Sequence, residues 1–297
     1  MSSISSLRQQ LRHIYYAYIK AHFIYKETSQ WHILNNQETL DYLHQHHCSI
    51  SRFGDGEFGV IWGWGNGFQC VDEKLAERLR EVLFATDAPN HVNAIPYPLK
   101  NWHGLYKPHG MWPGFTAFYI DKLREIINPE RLYLNSMVTR FYFESADKSG
   151  CGQHVQRLRA LWEGQDIVIV EGNLTRSGIG NDLYDNAHSV SRILAPATNA
   201  FSRYEEILSA ITNHVEKNKL VLLCLGMTAT VLAYDLAKLG YWAIDLGHLD
   251  LEYEWFLSGK TERFAVKGKF TNEVTDGNLV DSCNDPVYKS QIICDLN

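Results

Sequence analysis

A doubly wound α/β fold with a mainly parallel sheet is predicted by two apolar runs, the helix signals around them, and the order in which they alternate. Asp166-Ile-Val-Ile-Val-Glu171 and Leu220-Val-Leu-Leu-Cys-Leu225 are short and continuously apolar, the pattern of strands covered on both faces of a parallel sheet. Ile193-Leu194 and Trp242-Ala-Ile-Asp-Leu246 read as shorter members of the same sheet. Between them, Ser202-Arg-Tyr-Glu205 has the spacing of a capping box that opens a helix through about Lys217. Thr228 to Leu239 is a second helix, closed by Gly240. Ligands of such folds sit beyond the carboxyl ends of the strands, so the segments leaving those ends are where chemistry is sought.

The flanks differ from this core. Leu11, Ile14, Tyr15, Tyr18, Ile19 and Phe23 recur at helical spacing, with Arg8, Arg12, Lys20 and Lys26 nearby. A helical extension over residues 1–40 is expected, packed on the domain or on a second subunit; a membrane-surface helix is the alternative. Residues 41–275 form the main domain. The polar segment 276–297 is expected to be a loosely held tail.

Composition narrows the function classes. With 297 residues, 45% hydrophobic and 21% charged, the chain can bury a sizeable core and reads as a soluble globular protein. Its 28 Lys and Arg against 34 Asp and Glu give a net charge of -6, which argues against a protein that coats nucleic-acid phosphates. An anionic ligand must therefore be met by local groups. Cys48, Cys70, Cys151, Cys224, Cys283 and Cys294 show no C-x-x-C pair or zinc-site spacing, so reduced thiols are expected. The start lacks a signal-peptide pattern and no apolar run approaches the ~20 residues of a membrane span. A cytoplasmic location is expected.

Four segments carry candidate chemistry. In Ser51-Arg-Phe-Gly-Asp-Gly-Glu-Phe-Gly59, the glycines match G-x-G-x-x-G. A dinucleotide site is rejected, because Asp55 and Glu57 would face a pyrophosphate, and like charges about 4 Å apart repel by roughly 1 to 4 kcal/mol. The following Trp62-Gly-Trp-Gly-Asn-Gly67 is also too glycine-rich for the required helix. On an extended loop, Asp55 and Glu57 would point the same way and offer hard oxygens to Mg2+ or Mn2+, while Gly54 and Gly56 let a ligand approach. The bland alternative is an Asp-Gly turn.

Glu171-Gly to Asn186 leaves a strong strand and holds Arg176, Asn181 and Asp182. Arg176 offers a forked cation for phosphate, or else pairs with Asp182 or Asp185. Leu225-Gly-Met-Thr-Ala-Thr230 runs from strand to helix, where free amides and Thr228 could hold an anion. Asp245-Leu-Gly-His-Leu-Asp-Leu-Glu-Tyr-Glu-Trp255 concentrates acids and His248 past the last strand. Asp250 and Glu252 are its candidate bases, against the reading of a solvated acidic face. Aromatics in Asn93 to Pro98 and Trp102 to Trp112 could stack on a sugar, although packing explains most of them.

Taken together, Arg52-Phe-Gly-Asp-Gly-Glu57, Val138-Thr-Arg-Phe-Tyr142, Glu171-Gly through Asn186, Leu225-Gly-Met-Thr-Ala and Asp245-Leu-Gly-His-Leu-Asp250 resemble the GT-D glycosyltransferases, in order, over about residues 40 to 275. The resemblance implies a Rossmann-like GT-D fold and transfer of a sugar from a nucleotide-sugar donor, typically a UDP-sugar. It also implies Mn2+ or Mg2+ at an Asp-x-Glu motif, which Asp55 and Glu57 match. Arg52, Gly54, Gly56, Arg176, Asn181, Asp182, Thr228 and His248 are the expected donor contacts. The acceptor is expected to be a glycan or glycoprotein, in adhesin glycosylation or surface-polysaccharide synthesis. Homo-oligomers or other glycosyltransferases are the expected protein partners. Rival readings are a metal-dependent phosphohydrolase and a non-catalytic subunit that binds a glycosyltransferase through the Leu11 to Phe23 helix.

Overall fold

The computed structural model describes residues 8, 11, 12, 14–65, 69–106 and 111–297. Eight strands form one sheet: β1 (Ser49–Arg52), β2 (His91–Ile95), β3 (Leu134–Asn135), β4 (Asp166–Gly172), β5 (Ser189–Ala195), β6 (Leu220–Cys224), β7 (Trp242–Asp245) and β8 (Ile292–Asp295). Their order is β3-β2-β1-β7-β6-β4-β5-β8, and each neighbouring pair is parallel. The predicted doubly wound α/β fold is the one observed.

Alternation along the central strands produces two cores. Val168 and Val170 of β4, with Val221 and Leu223 of β6, join one buried cluster. Ile167 and Ile169, with Leu220 and Leu222, join the other. Because successive side chains of a strand point to opposite faces, both faces must be covered, which is why these runs are apolar throughout.

Helices supply the covers: α1 (Ala21–Thr28), α2 (Asn36–His46), α3 (Asp55–Ile61), α4 (Glu73–Phe84), α5 (Met111–Ile126), α6 (Cys151–Arg159), α7 (Tyr204–His214), α8 (Met227–Lys238), α9 (Leu249–Ser258) and α10 (Pro286–Gln291). The α2 start is a full capping box, Asn35 and Glu38 each bonding the other's amide at 3.0 and 2.8 Å. In α4, Asp72 caps the Leu75 amide, and Leu75, Leu79 and Val82 enter the core on one stripe.

Several expectations need correction. Residues 202–205 form no capping box: Ala200–Arg203 is a 3-10 turn, Ser202 Oγ donates to the Asn199 carbonyl, and α7 ends at His214 rather than near Lys217. β5 is longer than Ile193-Leu194 because Arg192, buried in mid-strand, is neutralised by Glu171 at 2.6 Å. The tail is not loosely held. It supplies α10 and β8, and Tyr288 is buried under the Arg192 guanidinium, which lies 5.0 Å from its ring centre. Asn66 and Gly67, and residues 107–110 of the Trp102 to Trp112 stretch, lie outside the described residues.

The N-terminal stripe is also reversed. Residues 14–28 are helical, with a π-helical stretch over Tyr15–Lys20 leading into α1. The side chains packed inward are Ala17, Ala21 and Ile24, and Leu11, Ile14, Tyr15, Tyr18, Ile19 and Phe23 face solvent. Packing of that stripe on the domain is therefore not what the fold does. Among the described residues, no helix is long and apolar enough to cross a membrane.

Candidate active site

β1 and β7 are neighbours, and their last residues, Arg52 and Asp245, meet at the carboxyl edge of the sheet. Asp245 is buried and accepts from the amides of Arg52 (3.3 Å) and Gly247 (3.1 Å), while the Thr230 hydroxyl lies 3.2 Å away. The Arg52 guanidinium stands 3.4 Å from Asp245 and donates to the Ser136 carbonyl at 2.8 Å. Gly247 is required here: its φ is +54°, and a Cβ would lie 1.8 Å from Arg52 Nη2.

After Arg52 the chain turns at Gly54 into α3, so the Asp-x-Glu segment is the first turn of a helix and not an extended loop. Residues two apart on a helix do not share a face. Glu57 nonetheless reaches the same opening as Asp55, because it folds back and accepts the Gly54 amide at 2.7 Å. Asp55 stays exposed. Burial raises the Glu57 carboxyl to about 7, with further upward pressure from the Asp245 and Asp55 carboxylates. Burial also raises Asp245, against the pull of Arg52.

These groups line a cleft of about 440 Å3, with Gly54, Gly56, Met111 and Trp112 also on its wall. Its far side is an ion-pair network of which the sequence singles out only His248 as a site residue. Arg140 grips Glu273 through both nitrogens at 2.8 and 3.0 Å, His248 Nδ1 lies 2.9 Å from the same carboxylate, and Arg263 bonds Glu144 at 3.0 Å. Burial works against the Glu273 charge, but His248 and Arg140 hold its carboxyl well below the ordinary range. Arg140 sits inside the Val138 to Tyr142 block that carried the resemblance. Arg263 and Glu273 lie in an irregular polar segment where no spacing marks them.

The lining holds five carboxylates (Asp55, Glu57, Glu144, Asp245, Glu273) against three guanidiniums (Arg52, Arg140, Arg263). A diphosphate entering it would face a surplus of negative charge around Asp55 and Glu57. A narrower cavity of about 40 Å3 adjoins the cleft. It is lined by Gly172, Ser177, Asn199 and Cys224, and shares Gly226, Met227, Gly247 and His248 with the cleft. The start of α8 thus stands between the two spaces.

The other candidates are used elsewhere. Asp250 is buried and accepts from Gly178 N (2.8 Å), Asn181 Nδ2 (2.8 Å) and Lys269 Nζ (2.7 Å). Glu252, wholly buried, accepts the amides of Tyr142 and Phe143 at 3.1 and 3.2 Å and lines neither space. Burial raises its carboxyl. Glu252 is thus an internal tie away from both spaces, whereas Asp250, held by Asn181 and Lys269, also lies on the wall of the narrower cavity. Arg176 pairs neither with Asp182 nor with Asp185; its guanidinium donates to the carbonyls of Gly268 (2.8 Å) and Asp281 (2.5 Å). Asp182 bonds Arg159 and Tyr253, and Asn181 bonds Asp250 and Glu254, outside the cleft. The Thr228 side chain is buried, and its hydroxyl has no hydrogen-bond partner among the described residues. Trp112 is the tryptophan of its stretch that reaches the cleft, while Trp102 is buried in the core.

A divalent cation fits this donor set. Asp55 is open, and one Glu57 oxygen remains beyond its bond to Gly54. No cluster of three or more His, Cys, Asp or Glu side chains poised for a metal occurs among the described residues. Mg2+ commonly takes one or two carboxylates and completes its shell with substrate phosphates and water. The like-charge pressure on Glu57 is what such a cation would relieve.

The family model for the glycosyltransferase GT-D fold matches residues 50–274. This chain belongs to the GT-D glycosyltransferase family. It is 35% identical over 272 residues to "Probable glycosyl transferase Gly" of Streptococcus gordonii, a match that covers 91% of this chain and 39% of that protein. It is 34% identical to "Glycosyltransferase GlyD" of Streptococcus pneumoniae serotype 4, covering 86% of this chain and 31% of that protein. The chain thus spans between about three and four tenths of the length of these relatives.

Among solved structures, one described as the highly conserved domain of unknown function 1792 with a distinct glycosyltransferase fold superposes with a TM-score of 0.86 at 34% identity, over 93% of this chain and 99% of that one. A new glycosyltransferase (DUF1792) from Streptococcus sanguinis gives 0.84 at 34% identity, over 89% and 99%. The expected GT-D class is thereby established for this domain.

Proposed function

We propose that this GT-D domain transfers a sugar from a nucleotide-sugar donor, with UDP-sugars the first candidates, to a hydroxyl of a glycan or glycoprotein acceptor. Mn2+ or Mg2+ would be held by Asp55 and Glu57. The observation that carries the reading is the cleft at the ends of β1 and β7, where an open Asp55 and Glu57, whose carboxyl burial raises, share the wall with three arginines. Bound there, the cation would neutralise charge on the departing nucleoside diphosphate.

The chain's own groups do the rest. The first amides of α8, at Gly226 and Met227, border both spaces and suit a phosphate at a helix start. Arg52 and Arg140 supply fixed positive charge at the cleft wall, with Arg140 held in place by Glu273. His248 borders both spaces and is oriented by the same carboxylate. Asp245 fixes Arg52 and adds to the burial that raises the Glu57 carboxyl. A cytoplasmic setting, where donors of this class are made, and a role in surface-adhesin glycosylation or surface-polysaccharide synthesis complete the proposal.

The test is donor hydrolysis across UDP-, GDP- and dTDP-sugars with Mn2+ present. Slow release of nucleotide and sugar together from one donor is expected. Phosphate release from simple esters, with all donors intact, would favour a phosphohydrolase and overturn the reading.

A further inference from the structure

The helix over residues 14–28 has its bulk on the wrong side for a helix that merely covers a domain. Its inner face turns Ala17, Ala21 and Ile24 into the core, with Tyr16 and Tyr25 half-buried beside them, and Ala17 Cβ would lie 3.8 Å from a Cβ at Gly114 of α5. Its large apolar side chains point outward, with exposures of 48% for Ile14, Tyr15 and Ile19, 58% for Leu11 and 76% for Phe23. Phe118 of α5, 4.9 Å from Tyr16 ring to ring, is also exposed. Exposed apolar side chains in one patch mark a surface that meets something apolar.

Charge decides what that is. Residues 1–26 contain Arg8, Arg12, Lys20 and Lys26 and no Asp or Glu, in a chain whose net charge is -6. Arg8, Arg12 and Lys26 are exposed beside the apolar side chains. A second copy docked symmetrically on this face would set these cations against one another, because the one acid of the helix, Glu27, is already held by Arg124 at 2.6 Å. A bilayer with anionic headgroups answers both features: its acyl boundary takes Leu11, Ile19 and Phe23, and its headgroups take the arginines and lysines.

We propose that this helix is an in-plane anchor that holds the domain on an anionic membrane surface. The helix lies parallel to the bilayer, with the Leu11 to Phe23 face inserted at the headgroup boundary. The inference does not depend on the transferase reading.

The test is co-sedimentation of the full chain with vesicles of phosphatidylcholine alone or mixed with phosphatidylglycerol. Binding to the mixed vesicles, weakened by added salt and absent from the neutral ones, is expected. The double variant Ile19→Gln, Phe23→Gln should bind about tenfold less. Its melting temperature and UDP affinity should stay unchanged, because both side chains are exposed. Equal binding to neutral and mixed vesicles, or none to either, overturns the proposal. So does a concentration-dependent dimer in sedimentation velocity that the same variant abolishes while vesicle binding persists unaltered, since the face would then join copies of the chain.

Discussion

Two acid-rich segments leave adjacent parts of one sheet, Asp55 to Glu57 after β1 and Asp250 to Glu254 after β7, and their carboxylates have opposite fates. Asp250 has its oxygens filled by an amide, an asparagine and a buried lysine. Glu252 is committed to two backbone amides. Asp55 is open, and Glu57 spends one oxygen on a helix cap and carries a raised affinity for protons. The difference teaches that position at a strand end does not make an acid functional. Spare acceptor capacity at Asp55 and Glu57, with burial and like charges acting on Glu57, is what the proposed cation site would use.

That contrast can be broken by parallel substitutions. Asp55→Asn should lower transfer by about 100-fold or more with little change in melting temperature, because the side chain is exposed. Asp250→Asn should do the reverse: it removes the closer partner of the buried Lys269 and costs about 3 kcal/mol in denaturant unfolding. Turnover per folded molecule should survive. Full activity in Asp55→Asn, or normal stability with lost turnover in Asp250→Asn, would reverse the two assignments.

Arg176→Ala comes next, with an expected loss of about 2 kcal/mol as the carbonyls of Gly268 and Asp281 lose their donors. Arg176→Lys should lie between it and wild type, since lysine lacks the fork that spans both carbonyls. UDP affinity, read by calorimetry, should be the same for both. A weakened affinity at unchanged stability would return Arg176 to the donor site.

Much of this was legible beforehand, for reasons of periodicity. β4 and β6 announce themselves because burial on both faces forbids polar residues in them, and the Asp-Gly-Glu junction stands out by composition. β1 and β5 were hidden or shortened by Ser49, Ser51 and Arg192, whose polarity is cancelled only by partners distant in sequence: Tyr241, Thr230 and Glu171. The Arg140–Glu273 and Arg263–Glu144 pairs join segments more than a hundred residues apart. The N-terminal stripe is legible as a pattern, but its packing on the domain is not, because periodicity says which residues share a face, not which face is buried.

The smallest of the substitution effects concerns Glu57. Its folded-state value of about 7 lies above the ordinary 4.5, so the folded protein binds this proton more tightly than the unfolded chain does. Stability from this group is greatest below about pH 4.5 and falls as the pH rises to about 7. Glu57→Gln, which resembles the protonated form, should match wild type in acid and exceed it by about 1 to 2 kcal/mol at pH 8, with EDTA present. Equal stability of the two proteins at both pH values would remove the strain assigned to this carboxylate.

The central claim, that the β1–β7 cleft takes a diphosphate through a cation on Asp55 and Glu57, is tested most directly by calorimetric titration of UDP in EDTA and again in Mn2+. The account predicts tighter binding with Mn2+ by roughly 5- to 150-fold in wild type and in Asp250→Asn, and loss of that gain in Asp55→Asn. Equal UDP affinity in the two titrations of wild type would contradict it.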